Sequence, residues 1–527
     1  MLWVMKRSTV LLVAILTSAS LLAQTVDVAP ATPAARALQS LVTSDANPDV
    51  RSFYGPNGFR PVWSRGGRPT QQAAAVIALF ESAEAKGLRS TNYAAGQWTA
   101  RTSDLTSDAG QARFDYAMTA TLVRYAKDVH QGRVNNSRDN SLFIPELLER
   151  AATGDVAAAI ASVEPQTESY RGLVAALASY RRIAAADTET LPAVARLKVG
   201  DDYAALPQLA AKLRLYGDLA ADAKVEGTEY DGAIVDAVKH FQSRHGLEPD
   251  GVIAKGTLAA LNTPASQRVQ QIEIALERMR WTPVENGPAI IVNIPEFKLR
   301  AVGESELEMR VVVGKAAGHK TPVFDGDLKH VVFRPYWSVP PSIQRNEIAP
   351  KLSAAYAAKH NYQIVDDSGH VLDVTAENVR RVRNGSLSVR QKPGTANALG
   401  LVKFLFPNDN NVYLHSTPQQ ALFGRTRRDF SHGCVRVEDP VKLAEWVLRE
   451  KPEWNEEKIR ATMTGKRDDV YVKLAEPITV KITYQTVVAK SNGEVHFFDD
   501  IYGHDAKLIA SLAPAPAKAG VLVAAKR

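Results

Sequence analysis

At Pro288 the spacing of apolar residues changes, and this constrains the fold more than any single motif. Upstream, apolar residues recur at helical intervals: Leu173, Ala176, Leu177 and Tyr180, then Leu206, Leu209, Ala210 and Leu213, then Val269, Ile272, Leu276 and Met279. Downstream, residues 290–294, 299–302, 309–314, 329–334, 400–406 and 411–415 read as strands separated by turns. At 527 residues the chain is too long for one core. The expectation is a multidomain α+β protein, with a helical scaffold domain, a small three-helix domain and a mainly-β domain.

Composition narrows the partners. Hydrophobic residues make up 45% and charged residues 23%, ordinary values for a folded soluble chain. The net charge of +7 favours an anionic partner, but the basic residues are scattered and no nucleic-acid module is present. A carboxylate-rich substrate fits better than nucleic acid. Lys6 and Arg7 precede the apolar run 9–16, and small residues follow around 19–23. This is the pattern of a secretory signal peptide over 1–23, cleaved after Ala23. The run is short of the ~20 apolar residues that a membrane span needs, so membrane contact is expected only through an uncleaved leader.

An exported chain with one cysteine has no internal disulfide, and its thiol is either inert in packing or reactive. Cys434 follows His432 and Gly433, and His415 stands upstream in Tyr413-Leu414-His415-Ser416. A thiol attacks as thiolate, and an imidazole within reach can take its proton. Cys434 is therefore read as nucleophile and His415 as general base, with His432 the alternative base. The backbone N–H groups of Gly433 and Cys434 are the natural donors to an oxyanion. Arg436 suits a substrate carboxylate or an internal salt bridge, and Tyr413 and Trp337 either line the site or pack in the core. Ser431 and His432 complete the candidate substrate-binding set. Arg425, Arg427 and Arg428 suit substrate carboxylates or form a solvated loop. His240 and His245 lack a third ligand, and no His-Glu-x-x-His constellation exists, so no metal or organic cofactor is indicated.

In chain order, a proline-rich lead-in gives way to the scaffold domain at 35–196, with helices expected at 71–85, 114–128 and 170–184. The small domain occupies 197–263, and a connecting helix follows at 264–287. The mainly-β domain covers 288–450, with the polar stretch 342–392 inserted in it. Residues 451–510 form an extension with a hairpin of 478–484 and 494–498 across Ser491-Asn492-Gly493, and 511–527 a flexible tail.

The string Ala237-Val238-Lys239-His240-Phe241-Gln242, with Gly246-Leu247 and Asp250-Gly251-Val252-Ile253, resembles the peptidoglycan-binding domain of bacterial cell-wall enzymes. The block 290–447 resembles the YkuD-type catalytic domain of L,D-transpeptidases. The likeness runs through Ile291-Val292-Asn293-Ile294-Pro295, Gly314, Lys320-Thr321-Pro322-Val323-Phe324, Ala398-Leu399-Gly400, Lys403-Phe404 and His415. It rests above all on Ser431-His432-Gly433-Cys434-Val435-Arg436-Val437. The whole resembles the large periplasmic members, in which an insertion caps the active site.

That resemblance implies a peptidoglycan L,D-transpeptidase in the periplasm of a Gram-negative envelope. Cys434 would attack the carbonyl between the third-position diamino acid and the terminal D-alanine of a tetrapeptide stem. The thioester would pass to a side-chain amine of another stem, giving a third-to-third crosslink. The resemblance also implies that the Ser416 carbonyl orients His415 and that carbapenems acylate Cys434. Implied partners are peptidoglycan stem peptides and glycan, with other cell-wall synthesis enzymes. The same cysteine would serve an L,D-carboxypeptidase, an endopeptidase or lipoprotein attachment to the wall. A non-catalytic wall-binding scaffold is the reading of a different class.

Overall fold

The computed structural model describes residues 28–45, 47–134, 142–281 and 287–513, and no helix among them is long and apolar enough to cross a membrane. The leader expected at 1–23 lies outside the described residues. So does the expected tail except for 511–513, where the helix His504–Leu512 ends.

The described residues pack as two units. The first takes residues 28–82, 89–128 and 142–163. Its helices begin on side-chain caps: Thr32 accepts from the Ala35 amide, Asn47 from Asp49, Thr70 from Ala73 and Asp155 from Ala157. The turn-rich aromatic run 53–63 is organised by Asp115, which is buried in this core. Its Oδ1 accepts from the Val62 and Trp63 amides and from the Tyr54 hydroxyl. Burial nevertheless pushes its carboxyl up to about 7.

The second unit takes residues 83–88, 129–134 and 164–513. It includes the helix Glu168–Ala186, which lies within the expected scaffold domain of 35–196. Tyr170, Leu173, Leu177 and Tyr180 pack with Ile272, Ala275 and Leu276 of the helix Ala265–Trp281. The expected boundary at 196/197 thus falls inside a packed unit, because the apolar stripes of these two helices match each other. Between them, Leu206–Leu215, Gly232–Arg244 and Lys255–Leu261 close around Leu209, Leu213, Ile234, Val238, Phe241 and Leu261. His240 there bridges Asp218 and Glu494, and buried His245 lies against the Phe241 and Phe497 rings.

The β domain is built on the strands β1 (Ala289–Asn293), β2 (Lys298–Val302), β3 (Leu307–Gly314), β4 (Phe324–Phe333), β5 (Val402–Leu405), β6 (Leu414–His415), β7 (Asp429–Ser431), β8 (Val435–Val437) and β9 (Val470–Thr483). Among the described residues they form one sheet in the order β7-β3-β8-β6-β5-β4-β9-β1-β2, and a further β2–β3 pairing closes it on itself. Alternate residues such as Ile290, Val292, Leu299, Val331, Phe404, Leu414 and Val435 share one core with Leu443 and Val447 of the helix Pro440–Val447. The expected hairpin of 478–484 with 494–498 does not form. Those first residues end β9, which lies between β4 and β1, while the hairpin pairs Val487–Ala489 with Val495–Phe497. Strand propensity marks an extended segment, but burial and neighbours decide its partner.

Between β4 and β5 the chain makes a four-stranded sheet of its own from Trp337–Ser338, Ser388–Gln391, Tyr362–Val365 and Val371–Leu372. Its core contains Ile343, Ile348, Ala357, Ile364, Val382 and Val389. Buried Gln344 stitches this cap: Nε2 donates to the Val382 and Leu387 carbonyls at 2.9 Å, and Oε1 accepts from the Val389 amide at 2.8 Å. Gln344→Ala leaves these groups buried and unpaired, so the cap should lose about 2–4 kcal/mol of local stability. Hydrogen exchange measures it: the Val389 amide should exchange faster while the Val331 amide, in β4, is unchanged.

Candidate active site

Strand β6 lies parallel to β8, with Leu414 opposite Val435 and His415 opposite Arg436. On its other side β5 runs antiparallel, with Lys403 opposite His415. Leu414, Val435 and Val437 enter the core. Alternation along the strands therefore sends Tyr413, His415, Cys434 and Arg436 to the opposite face. The Val435 amide donates to the Tyr413 carbonyl at 3.1 Å, which fixes Cys434 at the start of β8.

The loop before Cys434 is held from several sides. Gly433 has φ +121°, a conformation that a side chain would strain. Its carbonyl accepts from Thr321 Oγ1 at 2.7 Å, and the same hydroxyl accepts from the Gly314 amide at 2.8 Å. The Tyr502 hydroxyl donates to the Gly314 carbonyl at 2.6 Å and accepts from the Thr321 amide at 3.1 Å. Ser431 Oγ donates to the Cys434 carbonyl at 2.5 Å and accepts from the Gly433 amide at 3.1 Å. The Gly433 N–H is thus committed within the loop, so of the two expected oxyanion donors only the Cys434 amide has no acceptor among the described residues.

A cavity of about 510 Å³ opens onto this face. Cys434, His415, Gly433, Arg436, Tyr413, Ser431, His432 and Trp337 all line it. Ser416 stands behind, its carbonyl accepting from His415 Nδ1 at 2.5 Å. His432 turns its Nε2 to Glu347 of the cap at 2.7 Å. Arg436 pairs with no carboxylate among the described residues and donates to Gln419 Oε1 at 2.6 Å. The arginine run lies elsewhere: Arg427 pairs with Asp429, and Arg428 is buried on the Val311 and Phe297 carbonyls. Lys320, Glu347, Lys351, Tyr356 and Tyr362 also line the cavity and were not among the site residues expected from sequence, although Lys320 stands in a string that carries the family likeness. Four of these come from the cap, whose polar composition was the one available signal.

Residues 287–472 match the model of the L,D-transpeptidase catalytic domain. This part of the chain is similar to L,D-transpeptidase catalytic domains. Residues 204–261 match a family described as "Putative peptidoglycan binding domain", and residues 48–177 match a "Scaffold domain". A Haemophilus influenzae protein named "Putative L,D-transpeptidase" is 34% identical over 250 residues, which cover 46% of this chain and 50% of that protein. The chain thus spans about half the length of this curated relative. Among solved structures, an L,D-transpeptidase from Stackebrandtia nassauensis aligns with 55% of this chain and 94% of its own at 14% identity and a TM-score of 0.22. One from Xylanimonas cellulosilytica aligns with 55% of this chain and 99% of its own at 16% identity and a TM-score of 0.19.

The electrostatics of this cavity set its resting protonation. Burial, then the charges of Arg436 and Lys403, push His415 down to about 3, against the pull of its hydrogen bond to Ser416. Burial raises the Cys434 thiol, while Tyr413, Lys403 and Arg436 draw it back. The resting pair is therefore a neutral imidazole and a neutral thiol. With Nδ1–H donated to Ser416, Nε2 is the basic nitrogen.

Buried neutral His415 should make the domain acid-labile. Between an unfolded pKa near 6.5 and the native value, the unfolded chain binds a proton that the native chain refuses, so stability falls as pH falls. The loss at pH 4 is on the order of 3 kcal/mol. Urea unfolding at pH 7 and pH 4 should reveal it, and His415→Gln should flatten the dependence.

Proposed function

We propose that the chain is a peptidoglycan L,D-transpeptidase of the periplasm, forming third-to-third crosslinks through a thioester on Cys434. The supporting observation is that one capped cavity holds the chain's only thiol and an imidazole whose Nδ1–H is fixed on a backbone carbonyl.

In this reading a tetrapeptide stem enters beneath the cap, with Arg436, Lys320 and Lys351 available to its carboxylates. His415 Nε2 takes the thiol proton as sulfur attacks the carbonyl that precedes the terminal D-alanine. The Cys434 amide stabilises the oxyanion. His415 returns its proton to the departing D-alanine amine, leaving the thioester. The side-chain amine of a second stem then attacks, His415 accepts its proton, and the thiol is restored. The domain at residues 204–261 holds the enzyme on the wall during these steps.

Mass spectrometry of products from purified disaccharide-tetrapeptide tests the reading. Dimers lacking one D-alanine are expected, reduced about a thousandfold or more by Cys434→Ala. Tripeptide monomers alone would make water the acceptor and the protein a carboxypeptidase. Crosslinks formed only with a lipoprotein lysine would change the acceptor again. Undiminished product with Cys434→Ala would overturn the assignment of the nucleophile. A carbapenem should add one covalent adduct per chain, at Cys434 only, and Cys434→Ala should carry none.

A further inference from the structure

Lys403 on β5 stands opposite His415, on the face of the sheet that carries Tyr413. Its ammonium lies over the Tyr413 ring, 4.2 Å from the centroid. Among the described residues it has neither a carboxylate partner nor a hydrogen bond; the acid that acts on it is Asp469, through space only. The cationic side chains nearby differ in this respect. Lys320 donates to the Tyr502 carbonyl at 2.6 Å and Arg436 to Gln419, so each is already placed by a hydrogen bond.

A part-buried cation without a counter-ion is costly, and such a charge is ordinarily paired. Four titratable groups face Lys403: Cys434, His415, Tyr413 and Asp469. Of these, Cys434 is the one that gains negative charge in the proposed reaction. We infer that Lys403, seated on the Tyr413 ring, is a positioning residue that serves as standing counter-ion to the Cys434 thiolate. The inference rests on reading Cys434 as nucleophile. No bond to Lys403 forms or breaks: the sulfur gives its proton to His415, Lys403 keeps its own, and the new negative charge on sulfur meets a positive one already in place.

The same charge acts on the base. Lys403 opposes protonation of His415, as Arg436 does more strongly. It therefore disfavours a lasting thiolate–imidazolium pair and favours handing the proton on to the leaving amine. A lysine that merely packs on Tyr413 would do neither. The two roles separate experimentally, because methionine keeps the apolar stem and loses the charge while arginine keeps the charge.

Cys434 is the single cysteine, so alkylation of the full chain by iodoacetamide reports this one thiol. Followed from pH 6 to pH 11, Lys403→Met should move the profile up by about one unit, a roughly tenfold slower reaction at pH 7. Lys403→Arg should remain within about twofold of the unaltered chain. Should Lys403→Met fail to fold, Lys403→Gln is read in its place with the same expectation. A charge-free variant that folds and whose profile coincides with that of the unaltered chain overturns the inference. Alkylation needs no stem peptide, so absence of crosslinking by the unaltered chain would count against the proposed reaction, and a coincident profile against Lys403.

Discussion

Strands β6 and β8 run parallel side by side, with Leu414 against Val435 and His415 against Arg436, and the chemistry of the site depends on this pairing. Parallel neighbours cannot be joined by a tight turn, so the chain must leave β6, travel, and return in the same direction. The returning segment is the basic loop, and its arginines hold it. Arg428 is buried on backbone carbonyls of Val311, Phe297 and Arg425, Arg427 pairs with Asp429, and β7 lies parallel on the end of β3. Residues that looked suited to substrate carboxylates are spent on bringing Cys434 back beside Tyr413 and His415.

Around that pairing, low dielectric and fixed charge work against each other. Burial holds both the thiol and the imidazole neutral at rest, which protects a single cysteine from indiscriminate reaction. Arg436 and Lys403 then lower the cost of charge on sulfur without supplying a carboxylate that would trap the proton on His415. The orienting group for the imidazole is likewise a carbonyl, that of Ser416, and it carries no full charge. In the proposed reaction these charges favour thiolate formation during attack. Tyr502, from the region after β9, ties the Gly314 and Thr321 backbone to the loop that carries Cys434, so the C-terminal extension supports the site too.

How much of this could be read from sequence follows from what each feature depends on. The cysteine, the histidine and Gly433 sit in short local strings, and the strand character around them is visible as period two. Cys434 and His415 are therefore legible as candidates, and Tyr413 and Trp337 as either lining or core; all four line the one cavity. The helical stripe of Glu168–Ala186 was equally visible, but a stripe does not name the surface that covers it, and it packs against Ala265–Trp281. The same holds for β9, whose extended character was seen while its partners β4 and β1 were not. Glu347 and Lys351 were beyond reach because the likeness implies that 342–392 cap the site but does not show which of their side chains face the thiol. The Gly433 amide looked like an oxyanion donor until the Ser431 hydroxyl was seen to occupy it.

The central claim is that a covalent bond to Cys434 lies on the reaction path. Intact-mass spectrometry of the chain, quenched in acid within the first turnover of a tetrapeptide stem, tests it most directly. The account predicts a transient adduct equal to the stem less D-alanine, located on the peptide that contains Cys434. D-Alanine release that proceeds at full rate while the chain gains no mass would contradict it.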